Sequence, residues 1–286
     1  MKNPALPAPA EGNLETVAVK KRRLQEILVG LDSAIVAFSG GVDSAYLAFE
    51  AASVLGDRAV AVTADSPSYP AHHRDLAVAL ANRLGLRHEF ISTGEMERPE
   101  YRANPANRCY YCKQELFGTL TTLARERGIA AVLDGSNADD RGDYRPGRQA
   151  AREYGVRSPL DEAELHKEEI RALSRDAGLP GWDEPSSACL SSRIPYDSEV
   201  TEDKLRAIEA AEDVLRALGF RHCRGRHHGD VARIEVARSD MVSLTEKETS
   251  DRVCRKLKAL GFRYVSLDLE GYRTGSLNEG LILRPV

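Results

Sequence analysis

The sequence predicts an α/β fold, a doubly wound parallel sheet with a smaller C-terminal α/β domain. Three observations carry that prediction. Short apolar runs such as SAIVAF and RAVAVTA alternate with helical runs along most of the chain, as strands joined by crossover helices do. The segments richest in Gly, Ser and Asp follow those strands, where such sheets bind ligands. After about residue 196 the alternation starts again on a smaller scale.

In chain order, KKRR at 20–23 precedes LQEILVGL and reads as the solvated side of an amphipathic helix. SAIVAF (33–38) is a buried strand, followed by SGGVDS and the helical run AYLAFEAASVLG. RAVAVTA is the second strand, DSPSYP a turn, 70–85 a helix and RHEFIST the third strand. A polar segment containing NPANRCYYCK comes next, then a helix to about 127 and the strand IAAVLDGS. NADDRGDYRPGRQAAREYG reads as a loop, HKEEIRALSRDAG as a helix, and PSSACLSSRIP (185–195) as an ordered Ser/Pro loop. Helix 201–218, strand VARIEV, helix 245–260 and strand YVSLDL complete the chain. The expected domains are a flexible tail (1–14), a nucleotide domain (15–195) and a substrate-binding and oligomerisation domain (196–286).

The composition, 42% hydrophobic and 29% charged over 286 residues, is that of a globular protein with a sizeable core. A net charge of −4 supplies no global field for nucleic acid or membrane. No apolar run approaches the roughly 18 residues that span a bilayer. The opening MKNPALPAPAEGN has no apolar core of a signal peptide. The setting these features predict is cytoplasmic, where five cysteines are thiols, metal ligands or nucleophiles rather than a disulfide framework.

Ser39, Gly40, Gly41, Val42, Asp43 and Ser44 form SGGVDS between a strand and a helix. The glycines let backbone N–H groups approach an anion, and the helix N-terminus adds partial positive charge. Ser39 and Ser44 contribute hydroxyl donors, and Asp43 suits a Mg²⁺ bridging to phosphate. The segment is neither a Walker loop nor a dinucleotide fingerprint, since the Lys and the third Gly are missing. It resembles the PP-loop of the ATP-pyrophosphatases, of adenine nucleotide alpha-hydrolase-like fold, which split ATP into AMP and pyrophosphate while adenylating a substrate.

Further along, DGSNADD, YRPGRQAA, SPL, PSSACLSSRIPY, ARIEV and GYRTGSLNE together resemble the LarE family, ATP-dependent sulfur transferases of nickel-pincer nucleotide biosynthesis. The resemblance runs from about residue 15 to the end. It implies that a carboxylate of pyridinium-3,5-biscarboxylic acid mononucleotide is adenylated, attacked by a protein-borne sulfur and released as a thiocarboxylate, in two rounds. The chemistry is coherent: a carboxylate is a poor electrophile, an acyl-adenylate has a good leaving group, and a held sulfur then needs only orientation. Cys189, in an accessible loop between the two parts of the chain, suits the role of sulfur bearer. In family members with one cysteine here, its sulfur is surrendered and dehydroalanine remains.

This chain has more than that one cysteine. Cys109 and Cys112 form C-x-x-C in NRCYYCK, a spacing that also suits a redox pair or half a zinc site. A three-cysteine subset of the family implies instead that Cys109, Cys112 and Cys189 ligate a [4Fe-4S] cluster with one iron left open. Cys223 and Cys254 read as structural, and the spacing of His222, His227 and His228 beside Cys223 is irregular for a metal. Arg224 and Arg226 flank Gly225 and suit the 5′-phosphate of the implied substrate; a solvated basic loop is the other reading. Arg193, four residues past Cys189, is placed against the carboxylate or AMP.

Competing functions are tRNA 2-thiolation, which predicts a basic RNA-binding groove, ammonia-dependent amide formation, which leaves Cys189 unused, and nucleotide sensing without turnover. Family resemblance implies a homo-oligomer, a hexamer.

Overall fold

The computed structural model describes residues 11–142, 146–183, 188–273 and 275–280. Residues 1–10 of the expected tail lie outside that set, as do 144–145, 185–187 and Thr274 within three of the motifs above.

The elements in chain order are α1 (Glu11–Val29), β1 (Ala34–Ala37), α2 (Val42–Leu55), β2 (Ala59–Asp65), α3 (Ala71–Leu84), β3 (His88–Ser92), α4 (Pro99–Arg102), α5 (Arg108–Arg127) and β4 (Ala131–Leu133). They continue with α6 (Pro146–Glu153), α7 (Pro159–Glu162), α8 (Lys167–Asp176), α9 (Glu202–Ala217), β5 (Cys223–His228), β6 (Val231–Val236), α10 (Met241–Thr245), α11 (Lys247–Ala259) and β7 (Tyr264–Leu267). Helix α1 already includes residues 11–14, assigned above to the tail.

The chain divides into two compact units. One takes Met1–Asp65, His72–Thr93 and Lys113–Ser186; the other takes Ser66–Ala71, Gly94–Cys112 and Ser187–Val286. A single boundary near 196 is simpler than this division, because two short upstream stretches belong with the second unit.

The first unit contains a parallel sheet in the order β3-β2-β1-β4. Its central strands β1 and β2 are apolar because both faces are covered; Ala34, Ile35 and Val36 of β1 are all buried. Strand β2 lies on one side of β1 and β4 on the other, so the strand order reverses at β1. A sheet opens a ligand crevice beyond the carboxyl ends of its strands at such a reversal, and SGGVDS follows β1. Helix α2 packs over this sheet through Tyr46, Leu47 and Ala51, with Leu24 and Leu28 of α1 in the same core. Glu50 is buried there with partners: Tyr46 Oη donates at 2.9 Å and Gln25 Nε2 at 3.0 Å, and Lys21 Nζ lies 3.2 Å away. The KKRR face is thus only half solvated. Lys20 pairs with Glu169 at 2.8 Å and Lys21 with Glu50, while Arg22 and Arg23 are exposed.

The second unit has a three-stranded sheet, β5-β6-β7, antiparallel then parallel. Ala211 and Leu215 of α9 and Val253 and Leu257 of α11 share its core with Cys223, Ile234 and Val236. Thr201 caps α9 by accepting from Lys204 N at 3.3 Å. Strand β5, CRGRHH, lies in a stretch to which the sequence assigns no element. Its polar composition hides it, and pairing along its whole length with β6 makes it a strand.

Candidate functional site

In the first unit, SGGVDS turns from β1 into α2 as a self-bonded cradle. Ser44 Oγ donates to Gly41 O at 3.0 Å, accepts from Ser39 N at 3.2 Å and lies 3.1 Å from Ser39 Oγ. Gly40 adopts φ +70°, and a Cβ there would lie 3.2 Å from Ala77 of α3. Only glycine suits that conformation and that space. The loop after β4 comes equally close: a Cβ on Gly135 would stand 3.0 Å from Ser44 N. Asp134 holds that loop, accepting from Ser136 Oγ at 2.9 Å and Ser158 Oγ at 2.6 Å.

Asp43, in the first turn of α2, forms an ion pair through Oδ2 with Lys167 Nζ, while its Oδ1 is buried with no hydrogen-bond partner among the described residues. A buried carboxylate oxygen left unsatisfied is costly, so a cation such as Mg²⁺ fits this position. Lys167 was not singled out in the sequence. A signal existed, because a lysine at the first position of a helix opposes the helix dipole. Asp139 pins that end of α8, accepting from Lys167 N at 2.8 Å and lying 2.6 Å from His166 Nδ1. The hydrogen bond from His166 and that from Lys167 N hold the Asp139 carboxyl below its ordinary range.

In the second unit, Cys189 precedes a single 3₁₀ turn over 190–193. Leu190 and Ile194 anchor that turn in a small core with Tyr101, Val200, Leu205 and Ile208, against which Cys112 also packs. Leu190 N donates to Ser68 O at 2.9 Å, and the Tyr101 hydroxyl lies 2.6 Å from Ser191 Oγ. Cys189 is half-buried and Cys109 exposed. Cys109 and Cys112 lie at the start of α5, three residues apart and so on one helix face. The polar segment expected there is helical from Arg108 onward. A redox pair also opens a helix, so placement alone does not argue against one.

Two buried groups sense these sulfurs. The Tyr101 hydroxyl is pushed far up by burial and then by Cys189 and Cys112. Burial works against the Arg108 charge, but Cys189, Cys109, Tyr101 and Tyr196 outweigh it and raise its pKa. Among the described residues, no group of three or more His, Cys, Asp or Glu is closed around a metal position. The three thiols match a cluster in donor type alone, without forming a closed set.

Arg193 was expected to face a carboxylate or AMP. It is instead only 1% exposed and its donors are already engaged. Nε donates to Glu212 Oε1 at 2.8 Å; Nη1 donates to Ala188 O at 2.7 Å, Cys189 O at 2.9 Å and Ser192 Oγ at 2.9 Å. It clamps the cysteine loop onto α9. Glu212 also accepts from Arg216 Nη2 at 2.9 Å and Gly225 N at 3.3 Å. Burial would raise its carboxyl, but Arg193 and the other arginines prevail and lower it.

Arg224 and Arg226, two residues apart on β5, share one face of the small sheet. Arg226 is buried and paired with Glu235, and it donates to Ser276 Oγ at 2.6 Å and Ser192 O at 3.0 Å. The Arg224 guanidinium lies 4.9 Å from the Tyr272 ring centroid, and Nη2 donates to Tyr272 Oη at 3.2 Å. Burial and then the charge of Arg193 lower the Arg224 pKa. Neither arginine belongs to the solvated loop offered as the other reading. Burial, and then Glu212, push the Cys223 thiol up to about 11.

No family model matches the chain. It is 46% identical over 262 residues to an uncharacterized protein of Synechocystis, covering 92% of this chain and 98% of that protein. It is 40% identical over 269 residues to the pyridinium-3,5-bisthiocarboxylic acid mononucleotide synthase of Lactiplantibacillus plantarum, covering 94% and 97%. The GMP synthase of Aeropyrum pernix is 27% identical over 212 residues, 66% of this chain and 40% of that enzyme. At 40% identity across nearly the full length of both chains, this protein belongs to the LarE family, that of the pyridinium-3,5-bisthiocarboxylic acid mononucleotide synthases, and with it to the PP-loop superfamily.

Proposed function

We propose that the chain is an ATP-dependent sulfur transferase that adenylates the carboxylates of pyridinium-3,5-biscarboxylic acid mononucleotide, releasing pyrophosphate, and converts them to thiocarboxylates for the nickel-pincer nucleotide. The observation that carries the reading is Cys189: a half-buried thiol on a loop otherwise fixed by Arg193, Tyr101 and buried leucine and isoleucine. A nucleophile with nothing left to order loses little entropy on reaching its electrophile.

Gly40, Gly41, Val42 and the hydroxyls of Ser39 and Ser44 cradle the ATP phosphates, and Asp43 holds Mg²⁺ through its unpartnered oxygen. Lys167 supplies positive charge beside the departing pyrophosphate. Arg224 holds the substrate's 5′-phosphate, and Arg226, whose own donors are engaged by Glu235, Ser276 and Ser192, fixes the strand that presents it. Attack of sulfur on the acyl-adenylate expels AMP. If Cys189 itself is the donor, its Cβ–S bond then breaks with loss of the Cα proton, leaving dehydroalanine and a thiocarboxylate. A [4Fe-4S] cluster held by Cys109, Cys112 and Cys189 would supply an iron with an open position for exogenous sulfide. We favour the cluster because a purely sacrificial Cys189 gives Cys109 and Cys112 no task. The reading extends to a homo-oligomer, a hexamer by family resemblance, working in the cytoplasm.

The test is an anaerobic reaction with ATP and the pyridinium dicarboxylate. Pyrophosphate release that requires this substrate, with a product heavier by the exchange of oxygen for sulfur, is expected. Pyrophosphate release that requires tRNA or ammonia instead would overturn the reading in favour of thiolation of RNA or amide formation.

A further inference from the structure

The segment carrying Cys109 and Cys112 and the segment carrying Cys189 are more than 70 residues apart in the chain, yet both are tied to one buried guanidinium. Arg108, directly before Cys109, is 2% exposed. Its Nη1 donates to Ser191 O at 2.9 Å, inside the turn that follows Cys189, and to Asn104 Oδ1. Asn104, fully buried in the left-handed conformation at φ +57°, turns its Nδ2 onto the far side of the same loop. That nitrogen donates to Pro195 O at 2.7 Å, Ser198 O at 2.9 Å and Ile194 O at 3.3 Å. The return bonds run from Asp197 N to Asn104 O at 3.0 Å and from Val200 N to Arg102 O at 2.8 Å. Arg108 Nε, also buried, has no hydrogen-bond partner among the described residues. A buried guanidinium that meets no carboxylate among those residues is expensive, so core packing alone does not account for it. Asn104 and Arg108 were not singled out in the sequence, and both belong to the unit that does not contain SGGVDS.

We infer that Arg108, braced by Asn104, is the positioning residue of the sulfur-transfer site: it sets the C-x-x-C turn in register with the Cys189 loop and presents a fixed positive charge to their sulfurs. Sulfur in its reactive and ligating forms is anionic, and a guanidinium keeps its charge at any working pH. The part played in catalysis rests on the sulfur-transfer reading; the registration of the thiols does not.

The experiment therefore uses the full-length, reduced, metal-free protein without substrate. Dibromobimane, which fluoresces on joining two thiols, is added, and peptide mapping measures the rate at which Cys189 is joined to Cys109 or Cys112. Arg108→Met should slow that joining by about tenfold or more, the scale of one lost charge-assisted hydrogen bond. Arg108→Lys, which keeps a charged donor, should recover part of the rate. Asn104→Asp keeps the backbone conformation and an acceptor for Arg108 but loses the three bonds to the loop, and should also slow the joining. Rates are compared among variants with native circular dichroism, so Asn104→Asp carries the test if Arg108→Met does not fold. A folded Arg108→Met or Asn104→Asp protein that joins at the wild-type rate overturns the inference, as does a Lys variant no faster than the Met variant. Failure of sulfur transfer with thiol joining intact in the wild type would instead count against the proposed function alone.

Discussion

Arg193, Glu212, Arg224 and Arg226 show how far burial changes what a charged residue is for. Glu212 is fully buried beneath Arg193 and Arg216, so Glu212→Gln leaves a buried guanidinium without its counter-charge and should cost about 3–5 kcal/mol in denaturant melts. The pH dependence follows from the same contact. The folded carboxyl binds its proton less readily than the ordinary value of 4.5, so its contribution is complete above that pH and is lost as pH falls through the lower folded value. An acid titration of stability should show this arm in the wild type and not in Glu212→Gln. The two arginines on β5 call for different variants. Arg224→Ala should raise the KM for the pyridinium nucleotide by about one to two orders of magnitude with ATP affinity unchanged. Arg226→Ala should also lower stability, because Glu235 is fully buried and loses one of its partners. Steady-state kinetics beside a thermal melt separates the two; a loss of ATP binding in Arg224→Ala would refute the phosphate assignment.

At the scale of elements, the cradle depends on two close approaches that side chains would block. Gly135 brings the loop after β4 against the first turn of α2, where an added Cβ would meet backbone rather than a movable side chain. Overpacking of that kind costs about 1–3 kcal/mol, so Gly135→Ala should weaken ATP binding by about tenfold while the sheet of the second unit keeps its melting behaviour. Isothermal titration with ATP and Mg²⁺ checks it, and unchanged affinity would mean that the loop yields without disturbing Ser44. Strand β5 makes the complementary point. Nothing local favours CRGRHH as a strand, and its six-residue pairing with β6 is what fixes Arg224 and Arg226 on a common face.

For the whole molecule, the residues proposed to handle ATP and those proposed to handle sulfur belong to different compact units, SGGVDS and Lys167 to one, Cys109, Cys112, Cys189 and Arg193 to the other. The cluster reading predicts about four irons per chain in anaerobically prepared protein, and loss of that iron on changing any one of Cys109, Cys112 or Cys189 to Ala. Iron and sulfide analysis decides it. Iron-free protein that delivers one sulfur, gains dehydroalanine at position 189 and tolerates Cys109→Ala would remove the cluster and leave the transferase reading in place.

The sequence by itself determined the alternation of strands and helices, the glycine-rich loop after the first strand and the family. Each is written in neighbouring residues: apolar runs of strand length, two glycines before a helix, a cysteine among serines. Only the tertiary structure decided what the charged residues do. Arg193 finds Glu212 nineteen residues away, Arg108 reaches Ser191 across eighty-three, and Lys167 meets Asp43 across one hundred and twenty-four. No periodicity records such pairs, because a buried charge is set by whichever partner the fold brings to it, and that partner lies at no fixed spacing along the chain.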